Sequence, residues 1–180
     1  AAREGAPKGM VEVPANGETM EVGEFKFYNL YAYGRNFGAP TYWKNGVEIQ
    51  LPEPNGAITD MAISGSDVWA VGYNGAKYQG SPRCWKNGKP KYLSDVGTGI
   101  ATAIAVSDSN FHVVGNGRIY SGSAVYWDQG VGGVFFSWAS GASDIALDNN
   151  NNVHILAGSW DSHHLVNGAS MMRLTGAEDR

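Results

Sequence analysis

Cysteine is nearly absent from this sequence: its 180 residues include one, Cys84. A single thiol excludes an intramolecular disulfide and any metal site built from several cysteines. Charged residues are also few, at 17%, and thirteen basic residues against seventeen acidic ones give a net charge of -4. Because no stretch is rich in lysine and arginine, the sequence does not predict binding to nucleic-acid phosphates.

Long hydrophobic runs are missing as well. The longest, such as Val68 to Gly72 and Val153 to Gly158, are far shorter than the roughly 20 residues of a membrane-spanning helix. No membrane span is therefore expected. The chain starts at Ala1 without the apolar core of a signal peptide. We expect a mature protein whose targeting segment has been removed, either secreted or held at the cell surface.

Glycine and aromatic residues are plentiful, with 25 glycines and 12% aromatics. This composition is typical of a compact, turn-rich, all-β protein and differs from that of a coiled coil or a disordered chain. The length suits one domain, which we take to cover residues 1–180.

A repeat of about 42 residues organises the chain. Trp43, Trp85 and Trp127 recur at intervals of 42 residues, and Asn45-Gly46 and Asn87-Gly88 follow the first two. Asn-Gly is a strong hairpin signal because both residues tolerate positive φ. Four short strands in a repeat of this length correspond to one propeller blade. The sequence therefore predicts a four-bladed β-propeller with four antiparallel strands per blade.

The predicted blades cover residues of about 18–56, 57–99, 100–141 and 142–176. In the last blade, Ala169 to Leu174 is assigned to the third strand, and no fourth strand follows. Residues 9–17 resemble the outer-strand segment of the first repeat at 46–56. We expect the N-terminal strand at 10–14 to complete the last blade, which would close the ring without an exposed edge. A monomer is expected, and the alternative is that the four repeats are part of a larger ring assembled from several chains.

Two segments carry a resemblance to known proteins. They are the Tyr42-Trp43-Lys44-Asn45-Gly46 corner and the stretch Ile63 to Gly72. The repeat resembles the tandem β-propeller-like repeats of large, poorly characterised bacterial surface and secreted proteins, over about Met20 to Leu174. That resemblance implies binding or scaffolding rather than catalysis. A four-bladed ring also has the size of hemopexin-type propellers, although this sequence lacks their disulfide closure.

The loops between the second and third strands of each blade vary most, and loops on a rigid scaffold often bind ligands. They combine aromatic rings with polar groups, a composition suited to a glycan or a protein partner. The predicted binding residues are Lys77, Tyr78, Arg118, Tyr120, Trp160, Asp161, His163 and His164. Adjacent histidines on an extended segment point to opposite sides, so no metal site is assigned to them.

The repeated tryptophans have two interpretations. They could stack on sugars, or they could act as packing wedges between adjacent blades, which we favour. Met172 is assigned to the same position in the fourth blade, and methionine can fill a packing position.

No catalytic motif is present. The chain contains no Gly-x-Ser-x-Gly elbow, no phosphate-binding loop and no His-Glu-x-x-His sequence, and Cys84 lies within a repeat strand. We therefore expect a non-enzymatic recognition or scaffold module without a cofactor. The alternative is a small hydrolase or lyase with its site in the central channel of the propeller.

Overall fold

The structure is a computed structural model that describes residues 29–36, 38–53, 55–76, 79–94, 97–107, 110–117, 123–136, 138–158, 162–167 and 170–174. The chain divides into two compact units, residues 1–30 and residues 31–180. Every strand named below lies in the second unit.

Four separate antiparallel sheets make up the second unit, and each is formed by strands consecutive in the chain. The strands of sheet 1 are β1 (Tyr31–Asn36), β2 (Ala39–Lys44) and β3 (Val47–Gln50). Those of sheet 2 are β4 (Gly56–Ser64), β5 (Asp67–Asn74), β6 (Ser81–Lys86) and β7 (Lys89–Lys91). Those of sheet 3 are β8 (Gly99–Ser107), β9 (Asn110–Gly117), β10 (Ser123–Asp128) and β11 (Val131–Phe136). Those of sheet 4 are β12 (Gly141–Leu147), β13 (Val153–Gly158), β14 (Ser162–Val166) and β15 (Ser170–Leu174). The protein is all-β, and the described residues contain no helix.

The predicted Asn-Gly hairpins are confirmed. Asn45 and Asn87 have φ of 52° and 51° between the last two strands of their sheets, and Gln129 takes φ of 49° at the same place in sheet 3. The side chain of Asn87 also accepts a hydrogen bond from the backbone N–H of Val68 at 2.8 Å. The turn at Asn87 is therefore fixed both by backbone geometry and by a contact to β5.

The strand assignment in the fourth repeat was wrong. The third strand is β14, which pairs with β13, and the segment predicted as the third strand forms the fourth strand, β15. Asn167, with φ of 50°, makes the turn between them, so the equivalent of the repeated tryptophan is Leu165 rather than Met172. Sheet 4 thus has four strands from its own repeat, and the strand predicted at residues 10–14 lies outside the described residues.

Consecutive sheets pack face to face through hydrophobic clusters. Trp85 is completely buried in a cluster shared by sheets 1 and 2, and Trp127 in one shared by sheets 2 and 3. Leu165, 4% exposed, belongs to the cluster between sheets 3 and 4. The prediction of packing wedges is therefore confirmed for Trp85 and Trp127, whereas Trp43, in the first sheet, is only partly buried.

A β-bulge recurs in the first strand of each four-stranded sheet. The pairing register skips Thr59 in β4, Thr102 in β8 and Ser143 in β12. An extra residue of this kind redirects its side chain out of the ladder. The Thr59 hydroxyl donates to the carbonyl oxygen of Ala101 in the next sheet at 2.6 Å, and Thr102 donates to that of Ala142 at 2.6 Å. A bulge hydroxyl thus joins sheet 2 to sheet 3, and another joins sheet 3 to sheet 4.

Among the described residues, the extensive contacts between sheets join sheet 1 to sheet 2, sheet 2 to sheet 3, and sheet 3 to sheet 4. Within the described residues no extensive contact joins sheet 4 to sheet 1, so the sheets pack as a series in chain order and the predicted closed four-bladed ring is not confirmed. No helix in the described part of the chain is long and apolar enough to cross a membrane.

Candidate functional site

Most of the predicted binding residues lie outside the part of the chain that the structure describes. These are Lys77, Tyr78, Arg118, Tyr120, Trp160 and Asp161. Only His163 and His164, both in β14, can be placed. The prediction that the variable loops bind a ligand therefore stays a prediction.

His163 and His164 point to opposite sides of their strand, as the alternation of an extended segment requires. Nε2 of His164 lies 2.9 Å from Nδ1 of His154, with the two rings stacked. The ring of His163 instead meets the ring of Trp138 edge-on, at a centroid distance of 4.7 Å. Within the described residues, no three histidine, cysteine or acidic side chains are grouped so that they could hold a metal ion.

Asp148 lies next to the histidine pair, and its Oδ2 is 3.5 Å from Nε2 of His154. This carboxylate organises the polar turn between β12 and β13, because it accepts hydrogen bonds from the backbone N–H groups of Asn150 and Asn152 at 2.8 Å. Hydrogen bonds from Asn152 are the main cause that lowers the pKa of Asp148 to about 2. The carboxylate is therefore ionised at neutral pH and holds the turn.

Sheet 3 contains an equivalent of this histidine pair. Nδ1 of His112 lies 2.8 Å from the Tyr126 hydroxyl and 3.3 Å from Oδ1 of Asp128. Burial lowers the pKa of His112, although the Asp128 carboxylate opposes the shift. Tyr126 packs against the cluster between sheets 3 and 4. A polar pair at this position is thus a feature of the packed face of a sheet, and it does not by itself indicate a reaction centre.

The single thiol has no accessible nucleophilic role. Cys84 is completely buried between sheets 2 and 3. Burial raises its pKa to about 12, so the thiolate form needed for attack is not populated at neutral pH.

A groove between the ends of sheets 1 and 2 has the composition of a ligand site. Its volume is about 370 Å³, within the range typical of small-ligand sites. The residues that line it come from the segment after β3, from β6, and from β7 and the segment after it. They are Glu53, Pro82, Arg83, Pro90, Lys91, Tyr92 and Leu93.

An ion pair fixes the charged wall of the groove. Nε of Arg83 lies 3.0 Å from Oε1 and 2.8 Å from Oε2 of Glu53, and Nη1 of Arg83 donates to the carbonyl oxygen of Pro82 at 3.1 Å. Both side chains of the ion pair are partly exposed. The pair therefore presents donor and acceptor groups in set positions to a molecule in the groove.

Tyr92 supplies an aromatic surface, with 72% of the residue exposed. The backbone two residues later is anchored to the neighbouring sheet, because the N–H of Ser94 donates to the carbonyl oxygen of Gly130 at 2.8 Å. Nε1 of Trp127 donates to the carbonyl oxygen of Ser94 at 3.2 Å. This exposed ring, close in sequence to the anchored Ser94 and beside the exposed Lys91, is the feature that sequence reasoning missed.

Comparisons with known proteins add little to this description. No protein-family model and no curated protein matches the chain, so nothing identifies a repeat family of the Tyr-Trp-Lys-Asn-Gly type. Among solved structures, the chain is similar to the computationally designed Ika8 protein, with a TM-score of 0.49 and 18% sequence identity over 82% of this chain. The match spans 46% of the Ika8 chain.

Proposed function

We propose that the protein is a non-enzymatic recognition module, secreted or at the cell surface, whose four sheets are blades of a β-propeller. In this proposal it binds a glycan through the groove that contains Arg83 and Tyr92. The observation that carries the proposal is the coexistence, in one groove of about 370 Å³, of an exposed aromatic ring and a fixed guanidinium–carboxylate pair.

The chemistry of this groove suits a sugar. An aromatic face can cover the apolar C–H side of a sugar ring, while hydroxyl groups around the ring need donors and acceptors in set directions. Tyr92 offers the first, and Arg83 with Glu53 offers the second. Lys91 adds a cation at the rim of the groove, which favours glycans that carry a carboxylate or sulfate.

The test is a glycan array followed by calorimetric titration of the best ligand. We expect Tyr92→Ala to weaken binding by at least about tenfold, the effect of losing one buried aromatic contact at about 1.4 kcal/mol. Tyr33→Ala is the matched control, because Tyr33 is a 45% exposed tyrosine in sheet 1 that does not line the groove. This variant should bind as the wild type does.

Three results would overturn the proposal. One is a glycan that binds the Tyr92→Ala protein as well as the wild type. Another is a ligand lost only with Tyr78→Ala and Tyr120→Ala, which would place the site on the variable loops instead. The third is chemical conversion of the bound glycan, detected by mass spectrometry, because it would make the protein an enzyme.

A further inference from the structure

The interface between consecutive sheets repeats along the chain. In each case one face of a sheet, which we call its exit face, packs against one face of the next sheet, which we call its entry face. The entry face of sheet 2 contains Ala70 and Trp85, which lie opposite each other in the ladder. Val113 and Trp127 take these places in sheet 3. All four residues are at most 2% exposed, so a covered entry face is a consistent feature of the sheets that follow another.

Sheet 1 has the same pair of residues, and neither belongs to a hydrophobic cluster of the described residues. Ala32 and Trp43 lie opposite each other in the ladder, as the equivalent pairs of sheets 2 and 3 do. Ala32 is exposed and Trp43 is only partly buried. An alanine and a tryptophan that the rest of the repeat buries are therefore accessible at the beginning of the series.

Sheet 4 has the matching exit face at the other end. Leu156 is partly buried and Ala146 is exposed, whereas the equivalents of Leu156 in sheets 2 and 3, Val71 and Val114, are completely buried. With His154 and His164, Leu156 and Ala146 line a cavity of about 150 Å³ on this face. In the described part of the chain, the apolar part of the exit face of sheet 4 is thus more exposed than that of sheets 2 and 3.

Polar groups on the exit face repeat the pattern of the covered faces. Oδ1 of Asp60 accepts from its own neighbour, the N–H of Met61, and Oδ2 accepts from the N–H of Ile104 in the next sheet at 2.9 Å. Asp144 occupies the same position in sheet 4, and its Oδ1 accepts from the N–H of Ile145 in the same way. Among the described residues, Oδ2 of Asp144 has no hydrogen-bond partner. Oδ2 of Asp144 is therefore the equivalent of Oδ2 of Asp60, which joins sheet 2 to sheet 3.

We propose that the exit face of sheet 4 binds the entry face of sheet 1 of a second copy of this chain. The chain carries both halves of an interface that it already forms between its own sheets, and the two halves lie at opposite ends of the series. Because such a contact joins two different surfaces, it is head-to-tail, and it either closes into a ring or extends into an array. The smallest closed arrangement is a ring of two chains.

The experiment measures mass by sedimentation from about 1 to about 100 µM protein, the range of ordinary transient association. The wild type should pass from the 19.2 kDa monomer to an integer multiple of that mass as the concentration rises. Ala32→Glu changes the entry face and Ala146→Glu the exit face. Each should weaken association by at least about tenfold, because a carboxylate would be buried in the contact.

A mixture of the two variants gives the most direct test. An Ala146→Glu chain retains an intact entry face, and an Ala32→Glu chain retains an intact exit face. These two unmodified faces can pair, so the mixture should associate more strongly than either variant does alone. Val131→Glu, at a position that is 69% exposed in β11, is the control and should associate as the wild type does. Circular dichroism melting checks that every variant folds.

A wild type that remains monomeric throughout the range would overturn the proposal, and so would a mixture that fails to associate. Dimers that persist in both single variants would also overturn it, since they would use another surface. Failure here leaves the glycan groove untouched, because neither Arg83 nor Tyr92 lies on the two faces.

Discussion

Replacement of the buried tryptophans should reveal the sheet-to-sheet interface most clearly in the free energy of unfolding. Deletion of a buried tryptophan side chain costs about 3 to 5 kcal/mol. The loss for Trp85→Ala should lie near the lower limit of this range. Nε1 of Trp85 has no hydrogen-bond partner in the described part of the chain, so removal of the side chain also relieves a desolvation cost. Trp127→Ala should fall near the upper limit, because it also loses the hydrogen bond to Ser94.

Trp43 provides the matched comparison. It occupies the same repeat position but is only partly buried, so Trp43→Ala should cost less than about 2 kcal/mol. Urea unfolding followed by circular dichroism, at a protein concentration low enough to keep the chain monomeric, measures the three values on one scale. A loss of about 3 kcal/mol corresponds to a fall in melting temperature of about 6 to 12 °C for a chain of this size. Equal unfolding midpoints for the wild type and Trp85→Ala would refute the packing role.

Two further predictions concern polar contacts. Thr102→Val should destabilise the protein by about 1 to 2 kcal/mol in urea unfolding, because the shape is kept while the hydroxyl that donates to the carbonyl oxygen of Ala142 at 2.6 Å is lost. Thr102→Ser should restore most of that loss, and a serine variant as unstable as the valine variant would contradict the role of the hydroxyl. In the folded protein the pKa of Asp148 is about 2, below the ordinary pKa of an aspartate. Its ionised form therefore stabilises the fold at pH values above the ordinary pKa, and this stabilisation is lost as the pH falls toward 2. The melting temperature of Asp148→Asn should therefore lie below that of the wild type at pH 5 and converge with it near pH 2, and a gap unchanged across that range would refute the assignment.

The repeat period made the strands and hairpins of the central sheets predictable. Trp85 and Trp127 set the register, and Asn-Gly located the turn after the third strand because the turn conformation needs residues that tolerate positive φ. The fourth repeat was misaligned because its tryptophan position is occupied by Leu165. The signal that could have corrected it was Asn167-Gly168, the same turn pair as in the first two repeats.

The groove could not be predicted from the period. Glu53 and Arg83 come from different repeats, and periodicity identifies equivalent positions without telling which residues of neighbouring repeats meet. Thr59 and Thr102 occupy equivalent positions of two repeats, but the contact of their hydroxyls with the next sheet depends on a bulge that the sequence does not specify. Exposure of Tyr92 likewise follows from the way the sheets pack and not from its immediate neighbours in sequence.

Chemical-shift mapping by NMR tests most directly whether a glycan binds in the groove that contains Arg83 and Tyr92. The amide signals of the protein are assigned and then followed as the best array glycan is added. We expect the largest shifts on Arg83, Lys91 and Tyr92, while the signals of His154 and His164 on sheet 4 do not move. Shifts concentrated on residues 118–122, or on sheet 4, with the signals of Arg83 and Tyr92 unchanged, would contradict it.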